Sequence, residues 1–266
     1  MRLALLAVLA PAALAQPNAV ELFLRSAQAD KANSEKISEY TYREYRVTQE
    51  IDKDGKATHR QTETWDVIGL EGSTYRKLIQ RNDQPLAPKE QKREDERLAK
   101  ETALRRKETP EQRRKRSLPL SFTYSVRRLE PERTVALFDF EFKGEEEVDG
   151  RAAYVIEGMP KPGARPANAN EKENLNYRMK MWIDREDHVI SRNESEVIGE
   201  NSRAQKGTVI ELRNARNAVG AWLPKEFRFR FNLQVLKVAH ARGDIRLTFS
   251  DYRRFQVDSQ LVEAKP

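Results

Sequence analysis

Along Phe227-Arg228-Phe229-Arg230-Phe231-Asn232-Leu233-Gln234-Val235, apolar and polar residues alternate without exception, which sends each kind to its own face of an extended strand. Tyr177 to Asp184 repeats the pattern, with Trp182 as the one departure. Both segments predict strands with one wet face. Shorter period-two segments fill much of the chain. From Ile37 to Ile51, Tyr45, Val47, Gln49 and Ile51 share a phase; a turn at Asp52 to Lys56 then leads into Thr62 to Val67, and a third strand spans Thr74 to Ile79. Thr134 to Phe142 places Phe138, Phe140 and Phe142 on one face, an acidic turn runs from Gly144 to Gly150, and Ala152, Tyr154 and Ile156 form the partner strand. His188 to Ile198, Thr208 to Leu212 and Ile245 to Phe249 complete the set, with turns at Asn217 to Gly220 and Ala241 to Asp244.

Helical spacing occurs twice. After Pro17, the residues Val20, Leu22, Phe23 and Ala27 form one apolar face of a helix ending near Asn33-Ser34. A turn-rich stretch from Asn82 to Pro88 opens a second, charged helical segment that Pro110 interrupts and Pro119 closes. Pro160 to Pro166 predicts a loop leading into a polar, mobile stretch up to Asn174. About ten strands with one apolar face, joined mostly by short turns, imply an antiparallel sheet that needs cover on its inner side. The fold class is therefore α+β, mainly β with helical cover: a curved antiparallel sheet or unclosed β-barrel, with an N-terminal helix and a charged helical insertion over residues 85–119. One domain over residues 16–266 accommodates all of it.

Composition adds an address. Arg2, the apolar run from Leu3 to Ala12 and the small-x-small exit Ala13-Leu14-Ala15 read as a signal peptide over residues 1–15, cleaved after Ala15, so the mature chain is expected in the periplasm. There is no cysteine, which excludes disulfides, thiolate chemistry and a lipid anchor on the chain itself. Charged residues make up 34% of the chain and the net charge is +7. Between Lys89 and Arg116, twelve Lys or Arg face seven Asp or Glu, so this segment carries most of the excess. It reads first as a solvated helix with pairs such as Glu96 to Lys100 and Glu101 to Arg105. Its basic end at Arg113, Arg114, Lys115 and Arg116 is the candidate surface for anionic lipid headgroups. Export disfavours nucleic acid as a partner.

Catalytic signatures are missing. His59, His188 and His240 stand singly without partners at ligand spacing, so no metal or other cofactor is expected. Glu145, Glu146, Glu147 and Asp149 form a consecutive acidic run of the solvated kind, and Arg242-Gly243-Asp244 matches an adhesion tripeptide whose glycine reads first as a turn residue. The remaining candidate site is the apolar stripe of Tyr177, Met179, Met181, Phe227, Phe229 and Phe231, with Trp65 nearby. Core packing accounts for such a stripe without any ligand, while Met and Phe also suit an adaptable acyl pocket.

Several of these features together resemble the outer-membrane lipoprotein-sorting, LolA-like family: the signal, the N-terminal helix, the meander order, Gly150 with Tyr154-Val155-Ile156, the Pro-rich loop, Met181-Trp182-Ile183-Asp184 and Val189-Ile190-Ser191-Arg192-Asn193-Glu194. The recognisable motif covers Gly150 to Glu194. The resemblance implies an unclosed barrel with a helical lid around an apolar cavity for lipoprotein acyl chains or another lipid, and no enzyme activity. Two departures stand out: the insertion from Pro85 to Pro119 is longer than the family pattern, and no position here matches the family's lid-controlling residues. A second reading is an envelope interaction or sensor module that acts through its basic insertion on a membrane surface or partner protein, without lipid cargo.

Overall fold

The computed structural model describes residues 16–37, 39–52, 54–112, 129–199, 205–235 and 239–254. The signal segment from Met1 to Ala15 and the basic run Arg113 to Arg116 lie outside the described residues. In chain order the elements are α1 (Ala19–Ile37), β1 (Tyr40–Ile51), β2 (Ala57–Leu70), β3 (Ser73–Arg81), β4 (Gln84–Pro85), α2 (Pro88–Arg106) and α3 (Pro131–Leu137). There follow β5 (Phe138–Val148), β6 (Arg151–Pro160), α4 (Ala169–Asn174), β7 (Tyr177–Asp184), β8 (Ile190–Val197), β9 (Val209–Arg216), β10 (Trp222–Val235) and β11 (Ala239–Arg254). The eleven strands form one unclosed antiparallel sheet in the order β4-β3-β2-β1-β11-β10-β9-β8-β7-β6-β5. Two meanders are thus joined where the first long strand meets the last.

Directly paired residues share a face, so the register traces rows of side chains across the sheet. One row runs Phe142, Ile156, Met181, Asn193, Leu212, Phe227, Leu247, Arg46, Glu63 and Arg81. It is apolar over most of its length and turns charged at β1. This face is the inner one, because α1 packs on it. Asn18 caps α1 by accepting from the Val20 and Glu21 N–H groups at 3.0 and 3.1 Å. Ala19, Leu22 and Phe23, at helical spacing, pack on Ile156, Met181 and Ile183, and Phe23 stacks on Phe140 with ring centroids 4.5 Å apart. Asn33 then ties the helix to the start of β10 in both directions. It accepts from the Trp222 N–H at 3.0 Å and donates to the Trp222 carbonyl at 2.7 Å. The opposite face carries cross-strand ion pairs such as Arg192 to Glu211 and Arg178 to Glu157, around a small buried cluster of Val148, Ala153, Val155 and Trp182.

The charged helix α2 has a definite partner. β3 is nearly an edge strand, paired on its outer side only by the two residues of β4. Along that open edge, Glu94 accepts from the Leu78 N–H at 3.2 Å, Arg97 donates to the Arg76 carbonyl at 2.7 Å, and Arg105 donates to the Thr74 carbonyl at 3.3 Å and the Leu70 carbonyl at 3.0 Å. One stripe of the helix thus replaces a missing strand. The expected Glu101 to Arg105 pair forms at 2.7 Å, while Glu96 lies 4.0 Å from Lys92.

Four local expectations change. Thr134 to Leu137 is helical in α3, because Pro131 starts a turn that the Thr134 hydroxyl reinforces by donating to the Glu130 carbonyl at 3.1 Å. Glu145, Glu146 and Glu147 stay in β5, paired with Tyr154, Ala153 and Ala152, so the turn shrinks to Asp149 and Gly150, both at positive φ. The polar stretch before Asn174 is ordered as α4, capped by Asn168 and held by Glu171, which accepts from Arg133 and from the Ala167 N–H. Ala241 to Asp244 runs inside β11, and Gly243 serves a close approach there rather than a turn: a Cβ would lie 2.5 Å from Phe231 Cζ and 2.6 Å from the Gln49 carbonyl.

Candidate ligand-binding site

Among the described residues, α1 covers β5 to β8, and the inner face over β9, β10, β11 and β1 to β3 is roofed less completely. A cavity of about 210 Å³ lies there, lined by Glu44, Arg46, Arg76, Ile210, Phe227, Phe229, Ile245 and Leu247. Strand periodicity explains the wall: Ile210 on β9, Phe227 and Phe229 on β10, and Ile245 and Leu247 on β11 are paired neighbours in two adjacent rows. These five side chains offer no hydrogen bond. The facing wall is charged.

Glu44 is almost wholly buried, and its Oε1 accepts from Arg76 Nη2 at 2.5 Å. Burial raises its pKa, and the Arg76 charge and hydrogen bond offset this only in part. Arg76 also lies over the Trp65 ring, 4.6 Å from its centroid. Arg46 follows on β1 in the same face phase, between Glu63 and Leu247.

The seven residues of the expected stripe divide into groups. Phe227 and Phe229 line the cavity, and Tyr177 belongs to the same cluster, which continues through Val197, Ile210, Leu247 and Phe249. Met181, with Met179 against it, packs beneath α1 in the other cluster, and both serve as core there. Phe231 covers Gly243, and Trp65 sits on the inner face of β2 beside Arg76. Sequence reasoning missed Glu44, Arg46 and Arg76. In β1 it followed the phase of Tyr45 and Val47, which pair with Thr248 and Arg246 on the outer face, while the inner phase of Tyr42, Glu44 and Arg46 carries the charges. Ile210, Ile245 and Leu247 were legible as strand residues but not as a wall.

Residues of the acidic run and of the tripeptide have structural partners. Glu146 accepts from Trp182 Nε1 at 2.7 Å, which lowers its pKa, and Glu145 pairs with Arg185 at 2.8 Å. Asp244 of the tripeptide pairs with Arg228 across the β10 to β11 ladder. Among the described residues no group of His, Asp and Glu is arranged to hold a metal ion, and no helix is long and apolar enough to cross a membrane.

Neither a family model nor a curated protein matches the chain. Solved structures do. The chain is similar to a domain assigned as an outer membrane lipoprotein-sorting protein from Vibrio parahaemolyticus, at 15% identity over 91% of this chain and 94% of that one, with a TM-score of 0.42. It is similar to a DUF1329 family protein from Desulfovibrio piger, at 15% identity over 92% and 94% with a TM-score of 0.34. A LolA superfamily protein from Nitrosomonas europaea matches at 11% identity over 87% and 94%, with a TM-score of 0.32.

Proposed function

We infer that this chain is a non-catalytic protein of the cell envelope that binds a lipid acyl chain on the part of its inner face that α1 leaves open. The observation that carries this reading is the continuous apolar wall of Ile210, Phe227, Phe229, Ile245 and Leu247 around unfilled space. At about 30 Å³ per water-sized group, 210 Å³ holds roughly seven groups the size of a methylene. Burying them at about 0.8 kcal/mol each gives a gross term of about 6 kcal/mol, which suits reversible carriage or sensing rather than permanent capture. No catalytic role is assigned, because the buried acids are engaged in ion pairs, Glu44 with Arg76, Asp184 with Arg151 and Glu171 with Arg133.

The test is native mass spectrometry of the chain purified without detergent and then incubated with an envelope lipid extract. Lipid adducts on the wild type, lost in Phe229→Asp while the fold is retained by circular dichroism, are the expected result. Wild-type protein that stays free of lipid after incubation overturns the reading. Periplasmic location is checked separately, by fractionation and by an N-terminus at Gln16.

A further inference from the structure

The charged wall of the cavity is out of keeping with an apolar ligand alone. Three buried N–H groups on β1 to β3, Arg46 Nε, Trp65 Nε1 and Arg76 Nε, meet no acceptor among the described residues. Arg46 and Arg76 line the cavity, and Trp65 lies under Arg76. A buried donor without an acceptor is unfavourable, and two of these three lie on one wall of the cavity. Two guanidinium groups, Arg46 and Arg76, and one carboxylate, Glu44, line the cavity, with Glu63 beside Arg46 along the row. Glu44 accepts from Arg76 Nη2, and neither it nor another described group accepts from the Nε donors. What the wall lacks is an acceptor-rich anion, and what the opposite wall offers is cover for an alkyl chain. The volume, at roughly seven methylene-sized groups, suits part of one chain and not a bundle of three.

We propose that the cavity takes a single-chain lipid with an oxyanion head, carboxylate or phosphate, seated on Arg46 and Arg76 with its chain against Phe227, Phe229, Ile245 and Leu247. The proposal rests on the acyl-binding reading above and adds the head group and the chain number. Charge-assisted hydrogen bonds of this kind are about twice as strong as neutral ones, so the head group dominates selectivity.

Titration calorimetry of the full mature chain with decanoate, decyl phosphate, decanol and decyltrimethylammonium, each below its micelle concentration, tests it. Decanoate or decyl phosphate should bind about tenfold or more tighter than decanol, and the cationic amphiphile weakest. The arm with the larger advantage identifies the head. Arg46→Met should bring decanoate and decanol to within about twofold, while Glu44→Gln should widen the gap, a gain that misfolding cannot imitate. Equal wild-type affinity for decanoate and decanol overturns the head-group proposal and leaves the acyl reading standing. If no amphiphile binds, both fall, and binding of inorganic phosphate as tightly as decyl phosphate shows an anion site without a chain and overturns the proposal as stated.

Discussion

At the residue scale, two positions show how tightly local chemistry is fixed. Asp184 is buried, and Arg151 grips it at 2.6 and 2.9 Å while the Glu186 and Asp187 N–H groups donate to it at 3.0 and 2.8 Å. Burial opposes its ionised form, yet the Arg151 fork and the two backbone donors prevail and hold its pKa below the ordinary carboxylate value. The folded state therefore favours the charged form more than the unfolded chain does. Its contribution is complete above about pH 4 and is lost as the pH falls through the depressed folded value. Asp184→Asn should lower stability by about 3 kcal/mol near neutral pH and flatten the acid limb of the stability profile, which urea titrations at several pH values will read. Gly243→Ala should cost about 1–3 kcal/mol, because one of its obstacles is the Gln49 backbone and cannot rotate away; the melting temperature reports it.

Whole elements owe their positions to a few polar ties. α1 docks through its apolar stripe, but its far end is set by Asn33, and Asn33→Ala leaves the Trp222 N–H and carbonyl without partners. A loss of about 2–3 kcal/mol in chemical denaturation is expected. On α2, Glu94→Ala should speed hydrogen exchange at the Leu78 amide about tenfold or more while leaving the β10 and β11 amides unchanged. Arg105→Ala, which removes donors to two strand carbonyls, should destabilise by about 2–3 kcal/mol. Strand identity was legible in the sequence wherever alternation was clean, as at Tyr177 to Asp184 and Phe227 to Val235. It was not legible where competing signals overlapped. Thr134 and Val135 have strand propensity, but Pro131 and the backbone acceptor at Glu130 make a helical turn the better arrangement. Likewise the charges of α2 looked merely solvated, since nothing local reveals that a distant strand edge needs them.

For the molecule as a whole, an open antiparallel sheet with helical cover was readable from pattern, while the place of the second helix on the β3 edge was not, and the site was readable only in part. Phe227 and Phe229 stood out because they alternate with arginines. Glu44, Arg46 and Arg76 did not, because placing a charge on the inner side contradicts burial rules until the partner from another strand is known. Ile245→Phe, which adds bulk at a half-buried cavity wall, should abolish amphiphile binding and leave the melting temperature unchanged or slightly higher. The order of the sheet carries one further consequence. β1 closes on β11, with Tyr40 opposite Arg254, so the pairing that unites the halves spans nearly the entire length of the chain. No early fragment can finish the job during synthesis: everything before residue 239 leaves β1 and β10 each with a raw flank and no neighbour. A truncation ending at Val235 should therefore precipitate or remain with chaperones rather than settle as a smaller folded unit, and the last strand acts as the clasp that completes the fold.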